Sequence, residues 1–528
     1  MPDGLTEDAV LRRGRAPARP AVVSAALGWW ALCAAIVAIG LPFDLTKLIH
    51  HDVAYYIDAG GRLLDGARLY RDLIEVNPPV MYPLAMIPVA LARALGTDAV
   101  TMFNLLIAAL AFASTAVAVR VATITRATGA LPARWLAPLA LFAFLVLPGL
   151  NFGQREHILA MLLLPYLVAA SGTVSALPRR LGIVIGLMAG LGMALKPHFA
   201  LYLIVTEAIV WLRDREPREL LRPAVIAAAF VPVLAAAITV AALPEYLSFI
   251  VPLGRAVYGG YESPLALVVW QRDFIFVVPL IAALLLVRRR PAASEAARLG
   301  LMFAGAALAG IVVFLLQMKG WRYQVMPAIS FASIGLGMVV AAMAATAASA
   351  GSRNAPALAS AILLVLSAAL TMGAASDDRA IKAEATPLIE LARREARGQP
   401  ILFLSTHLPY AFPVVNESGA TWPHHYHHLL PLPGLYGDYD PAKTGRPFRT
   451  PAEMGPVEAQ FFDTVINDAV KHAPRLIFVD RRRQFPPISD LGLDFIAYFS
   501  QDPRFVELLT HYRAAGEISR HDVLIRVN

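Results

Sequence analysis

Long apolar runs broken by short charged clusters set the pattern of this chain. Runs of spanning length fall at residues 21–43, 99–119, 135–150, 158–176, 181–195, 198–212, 223–243, 265–287, 299–317, 323–346 and 355–374. The hydrocarbon core of a bilayer takes roughly 17 to 25 helical residues, so the pattern predicts about eleven transmembrane helices. The stretch 80–95, VMYPLAMIPVALARAL, is short and carries Pro83 and Pro88, and hydropathy alone leaves its status open. Charge resolves it. With 80–95 laid along the membrane surface, one side of the bilayer collects the N-terminal arginines, Arg120, Arg126 and Arg134, Arg179 and Arg180, the group Arg213, Arg215, Arg218 and Arg222, the run Arg288 to Arg290, and Arg353. Cytoplasmic loops are the ones that accumulate Lys and Arg. The non-cytoplasmic face then holds 44–98, 151–157, 196–197, 244–264, 318–322 and the tail after 375.

From Asp377 the pattern changes to that of a soluble domain. The helical stretch IKAEATPLIELARREA leads to the strand-like ILFLST, the helical FFDTVINDAVKHA leads to RLIFVDRR, and HDVLIRVN reads as a final strand. Strands alternating with helices predict a small α/β layer; it has no Gly-rich phosphate loop and so no expected nucleotide site. At the other end, Arg12, Arg13, Arg15 and Arg19 precede the apolar run Ala21–Phe43, which is too long for a cleaved signal and reads as a retained anchor. The expected organisation is a cytoplasmic tail over 1–20, a polytopic α-helical membrane domain over 21–375 with a large first outer loop at 44–98, and a non-cytoplasmic α/β domain over 376–528.

Composition agrees. Hydrophobic residues make up 58% and charged residues 16% of the chain, and the mean hydropathy is +0.59, outside the soluble globular range. The net charge of +8 comes mostly from the inter-span clusters, so membrane orientation explains it and nucleic-acid binding is not expected. The single cysteine, Cys33, excludes a disulfide within the chain.

Chemistry concentrates in the first outer loop, HDVAYYIDAGGRLLDGARLYRDLIEVNPPVMY from His51. Asp52 shares a helical face with Tyr55, Tyr56 and Ala59. It reads either as a helix cap or as a partly desolvated carboxylate of raised pKa that accepts a proton from a hydroxyl. In NFGQREH, the trio Arg155, Glu156 and His157 either marks the water interface or forms an anion site with its own proton-handling group. A departing phosphate needs positive charge beside it; on the same face Lys196, Arg272, Lys319 and Arg322 are candidates, as alternatives to simple interface anchors, with His198 and Trp321 nearby as donor and stacking surface. The tract Trp422 to His428 invites a metal reading through His424, His425, His427 and His428, but its spacing matches no ligand signature. The preferred reading is a loop folded over the membrane cavity, with Trp422 against acceptor or lipid.

The segment HDVAYYIDAGGRLLDGARLYRD followed by NPPVMYPLAMIPVALARALG resembles the first outer loop of the GT-C glycosyltransferases, in which an Asp just after the first span precedes a Pro-rich turn into a juxtamembrane helix. Protein O-mannosyltransferases and the lipid A aminoarabinose transferase share this plan. The resemblance spans the architecture of about two thirds of the chain, but only some forty residues in motif. It implies a sugar donor on a polyprenyl phosphate, chemistry on the non-cytoplasmic face, and Asp52 as base. The acidic residue that often precedes the Pro pair is replaced by Asn77, with Glu75 two places earlier.

The sequence therefore points to a multi-pass glycosyltransferase of the bacterial inner membrane, acting on a glycan, lipid or protein acceptor. Asp52 and Glu156 are the expected catalytic carboxylates, Arg155, Lys196, Arg272, Lys319 and Arg322 the phosphate ligands, and Tyr56, Asn77, His157, His198, Trp321 and Trp422 the acceptor or lipid contacts. No cofactor is required, with room for a divalent ion near Asp52 and Glu156. The competing reading is a transporter or flippase, for which Glu207, the one clear charge well inside a span, is the cue.

Overall fold

The computed structural model describes residues 19–527 except 130, 271–273, 275, 276, 279, 280, 282–293, 350–354 and 483–487. Nine helices open the chain: α1 (Arg19–Thr46), α2 (His51–Leu64), α3 (Met81–Leu95), α4 (Ala99–Thr125), α5 (Leu136–Leu145), α6 (Arg155–Ser171), α7 (Arg179–Ala194), α8 (Ala200–Asp214) and α9 (Pro223–Ala242). The helices Ser294–Gln317, Arg322–Ser349 and Ala355–Glu395 complete the bundle.

Among the described residues, five segments are long and apolar enough to cross a membrane unaided: Trp29–Thr46, Ala99–Thr125, Pro223–Ala242, Arg298–Gln317 and Arg322–Ala344. The remaining expected spans form shorter helices. α5 stops after ten residues, ahead of a turn through Pro148 and Gly149, and α7 meets α8 at a break on Pro197. α6 is shielded by its neighbours, with every residue from Arg155 to Ser171 buried. Such a helix is set by protein contacts on all sides, so bilayer thickness does not dictate its length. Of the expected span 265–287, the helix Leu265–Val269 is seen and most of the rest lies outside the described residues.

The boundary expected at 376 falls inside a single 41-residue helix, Ala355–Glu395, which carries the chain from the bundle into the terminal domain. There the strands β1 (Ile401–Leu404), β2 (Leu476–Asp480), β3 (Tyr512–Ile518) and β4 (His521–Arg526) form one sheet in the order β1-β2-β4-β3. β1 and β2 are parallel, pairing Ile401 with Leu476 and Leu404 with Val479, and the crossover between them includes the helix Pro456–His472. β4 runs antiparallel to both β2 and β3. The parallel pair β1 and β2 is buried throughout, which fits its mostly apolar sequence, ILFL and LIFVD.

This domain is bonded directly to the first outer loop. Ile74 donates its N–H to the His425 carbonyl at 2.9 Å, Arg62 donates to the His424 carbonyl at 3.0 Å, and Asn416 donates to the Ala54 carbonyl at 3.1 Å. Asp378 on the long helix accepts from the Leu48 N–H at 2.7 Å and pairs with Lys382 at 2.8 Å. A second seam joins the segment 257–261 to 432–435 with almost no room between backbones: a Cβ on Gly260 would lie 2.2 Å from the Pro433 carbonyl carbon, and one on Gly434 would lie 2.4 Å from the Val257 Cα. Gly434→Ala is expected to part these segments and destabilise the protein by about 1–3 kcal/mol, seen as a lower Tm in detergent than that of a Gly437→Ala control.

Candidate functional site

A cavity of about 400 Å³ lies where the outer loop, the start of α6, the segments 258–261 and 320–323, and two loops of the terminal domain meet. Its walls include His50, His51, Asp52, Tyr55 and Tyr56 from the first outer loop, Glu75 and Asn77 beyond it, Arg155 from α6, Tyr258 and Tyr323, and His407, His427 and His428 from above.

Local sequence explains how Asp52 reaches it. His50 stays extended (φ −62°, ψ 137°) as the N-cap of α2, and its Nδ1 accepts from the Asp52 N–H at 3.2 Å. Asp52 thus sits in the first turn, where the helix dipole favours an anion. Its carboxylate accepts a hydrogen bond from Gln154 Nε2 at 3.1 Å and lies 3.5 Å from His51 Nε2, with 19% of the side chain exposed. Burial alone raises the Asp52 carboxyl, but His51, His50, Arg155 and the Gln154 hydrogen bond outweigh it and bring it to about 2. This corrects the expected raised pKa. Burial also pushes His51 down to about 3. At neutral pH the cavity therefore holds an ionised Asp52 beside a neutral His51 imidazole.

Glu75, which the sequence offers only as the acidic residue two places before Asn77, lines the cavity. It is 2% exposed, and its Oε1 accepts from the Val76 N–H at 2.7 Å, the Asn77 N–H at 3.1 Å and Asn77 Nδ2 at 2.8 Å. Its Oε2 lies 3.3 Å from His427 Nε2, and the His427 ring stacks on Tyr55 at 4.5 Å. A buried carboxylate therefore stands at the position two residues before Asn77. Asn77 Oδ1 in turn accepts a hydrogen bond from Arg155 Nη1 at 2.7 Å. Arg155, 3% exposed, lies over the Tyr56 ring at 5.4 Å, and its Nε has no hydrogen-bond partner among the described residues.

Several other expected site residues do not line the cavity. Glu156 is fully buried and bonded to Lys196 Nζ at 2.6 Å, so both leave their expected catalytic and phosphate roles for an internal ion pair. Gln317 accepts from Lys196 at 3.4 Å and from Gln324 at 2.9 Å, which ties the pair to the helices Ser294–Gln317 and Arg322–Ser349. His157 is turned inward between Phe144 and Phe152 and accepts from the Gly153 N–H at 3.0 Å. His198 packs edge-on against Phe199, away from the cavity wall. Lys319 donates to the Tyr258 carbonyl and covers its ring, bracing the wall from behind. Trp422 belongs to the core of the terminal domain, against Phe403 and Phe412, with Nε1 on the Tyr426 carbonyl at 3.1 Å. The four tract histidines turn to four partners: His424 to the Ile401 carbonyl, His425 to Asp468, His427 to Glu75 and His428 to Tyr261. They do not form one metal centre. Arg272 lies outside the described residues. Trp321 and Arg322 do line the cavity, Arg322 at 3.5 Å from Asp377. Glu207 is paired with Arg222 and Tyr166, each at 2.7 Å, which satisfies the charge that suggested transport.

A second, larger hollow of about 630 Å³ adjoins the first and shares His50, His51, Asn151, Arg322 and Pro409 with it. Most of its wall is apolar, including Leu147, Met326, Ile329, Leu370 and Ile381.

Lys196→Met leaves the Glu156 charge buried without its partner. The expected cost is about 3–5 kcal/mol of stability, most of it recovered in the Lys196→Met/Glu156→Gln double variant. Thermal unfolding of the four members of this cycle measures it.

No family model matches the chain, and no curated protein sequence does. Its shape does find a match. The chain is similar to the crystal structure of ArnT from Cupriavidus metallidurans bound to undecaprenyl phosphate, with TM-score 0.54 and 15% identity over 94% of this chain and 98% of that one. It is equally similar to apo ArnT from the same organism, with TM-score 0.53 and 15% identity over 95% and 98%. The likeness covers nearly the whole of both chains and agrees with the resemblance read from the first outer loop: this is a multi-pass membrane protein of GT-C-type fold with a small C-terminal sheet domain.

Proposed function

We propose that this chain is a membrane glycosyltransferase that moves a sugar from a polyprenyl-phosphate donor to a hydroxyl of a glycan, lipid or protein acceptor on the non-cytoplasmic face of a bacterial inner membrane. The observation that carries the reading is one cavity holding an ionised carboxylate, Asp52, and a buried guanidinium with an unused N–H, Arg155, next to an apolar hollow. An amphiphilic donor has both needs. Its prenyl chain takes the hollow, and its phosphate takes the junction where Arg322 faces both spaces. The solved ArnT bound to undecaprenyl phosphate, a molecule of that class, supports the assignment.

In the proposed step the acceptor oxygen attacks the anomeric carbon in line as its proton passes to Asp52. The bond from that carbon to the phosphate oxygen breaks, and the charge left on polyprenyl phosphate is met by Arg155. A single displacement inverts the anomeric centre. Tyr55, Tyr56, Tyr258 and Tyr323 give the sugar aromatic walls, and the terminal-domain loops carrying His407 and His427 close the cavity from above.

Asp52→Asn keeps shape and removes the base, so transfer from radiolabelled polyprenyl-phosphate sugars is expected to fall by about 10²–10⁴-fold with membrane insertion intact. Unchanged transfer by this variant, or no transfer from any member of a donor panel, sinks the reading. The pH profile offers a separate check. A carboxyl lowered to about 2 keeps its base form at every pH above that value and loses it only as pH falls through it. The rate of the wild type is therefore expected to show no acid limb assignable to Asp52 between about pH 4 and pH 7, and an Asp52-dependent limb near pH 6 contradicts the geometry.

A further inference from the structure

Three consecutive side chains rarely converge, because successive helical residues point about 100° apart. Here they do. His50 lies just outside α2 and folds its ring back over the first turn, its centroid 4.0 Å from that of His51. One ligating atom from each of His50, His51 and Asp52 can be chosen so that all three lie within 4.8 Å of one another.

We propose that His50, His51 and Asp52, completed by the carboxamide oxygen of Gln154, bind a borderline transition-metal dication such as Zn²⁺. Two imidazoles and a carboxylate suit Zn²⁺, Co²⁺ or Mn²⁺ and not the all-oxygen preference of Mg²⁺ or Ca²⁺. Gln154 is the independent sign. Its side chain is fully buried, its Nε2 stands between Asp52 Oδ2 at 3.1 Å and His50 Nδ1 at 2.6 Å, and its Oε1 has no hydrogen-bond partner among the described residues. The amide nitrogen thus bridges two metal-ligating atoms. A half-turn of the carboxamide, which exchanges O and N in place, presents Oε1 to the same two groups and makes an N₂O₂ set.

The ion occupies the carboxylate that the proposed reaction uses as base, so it switches transfer off when bound. That consequence rests on the glycosyltransferase reading; the binding does not. Full-length untagged protein in detergent, stripped with chelator and titrated with ZnCl₂ in a calorimeter, is expected to bind one equivalent. His51→Ala and Gln154→Ala are each expected to weaken it at least about tenfold, and His425→Ala, in the histidine tract, is expected to leave it unchanged. Binding that survives His51→Ala, or that is lost in His425→Ala instead, overturns the site, as does the absence of a saturable equivalent. Zinc-edge X-ray absorption of the loaded wild type tests the same claim without a variant that has to fold. Two imidazoles in the first coordination sphere are expected, and an oxygen-only sphere refutes the proposal. Failure of sugar transfer with intact zinc binding would strike the function and leave this site standing.

Discussion

A charge taken out of water has to be matched by another group, and the start of α6 does this three times in succession. Gln154 bonds the Asp52 carboxylate and His50, Arg155 reaches Asn77 and Tyr56, and Glu156 holds Lys196. Each partner comes from a different element: α2, the turn before α3, and the break between α7 and α8. Because α6 is buried on every side, its first turn has little freedom, and the elements it binds inherit that rigidity. A single-residue register shift of α6 would leave several buried polar groups unmatched at once, each costing on the order of 1–3 kcal/mol. Satisfaction of these groups is what makes one arrangement of short, weakly amphipathic helices preferable to its alternatives.

The terminal domain extends the same logic from above. His427 is buried against Glu75 and stacked on Tyr55, and the backbone of 424–426 bonds the outer loop through Arg62 and Ile74. The domain is therefore part of the cavity wall. Its loops cover part of the cavity that holds Asp52 and Arg155, and electrostatic interactions strengthen where less water reaches them. The same sheet domain that looks separable by composition thereby supplies His407, His427 and His428 to the cavity wall.

The membrane architecture was legible because hydropathy is a sum over many residues and tolerates local error. The candidate site was legible where local sequence decides the outcome: Asp52 follows a span directly and falls in the first turn of a helix, and NFGQREH gathers its charges at a helix start. Pairings across the chain were not. Glu156 and Lys196 stand 40 positions apart, and each alone reads as an available charge until folding joins them. Trp422 has the composition of a sugar platform, yet an indole beside Phe403 and Phe412 gains more by closing a core. The histidine tract bends at 425, 427 and 428 and sends its rings to four different partners, so they do not share an ion. Glu75 was named without a role because an acidic residue offset by two places in a turn has no periodicity to restore its place.

Removing Lys196 and Glu156 from the cavity changes its electrostatics in a useful direction. The ion pair below the floor is neutral as a unit, which leaves Arg155 as the buried cation at the wall, with Arg322 more exposed at the mouth. Asp52 and Glu75 oppose them inside. In the proposed reaction a donor phosphate is drawn toward the two arginines and repelled by the carboxylates, which holds it at the junction with the apolar hollow. An acceptor hydroxyl meets no such repulsion and is free to approach Asp52. In the proposed reaction that division of charge sorts donor from acceptor before any bond changes, and it does so with groups whose positions the first turn of α6 already fixes.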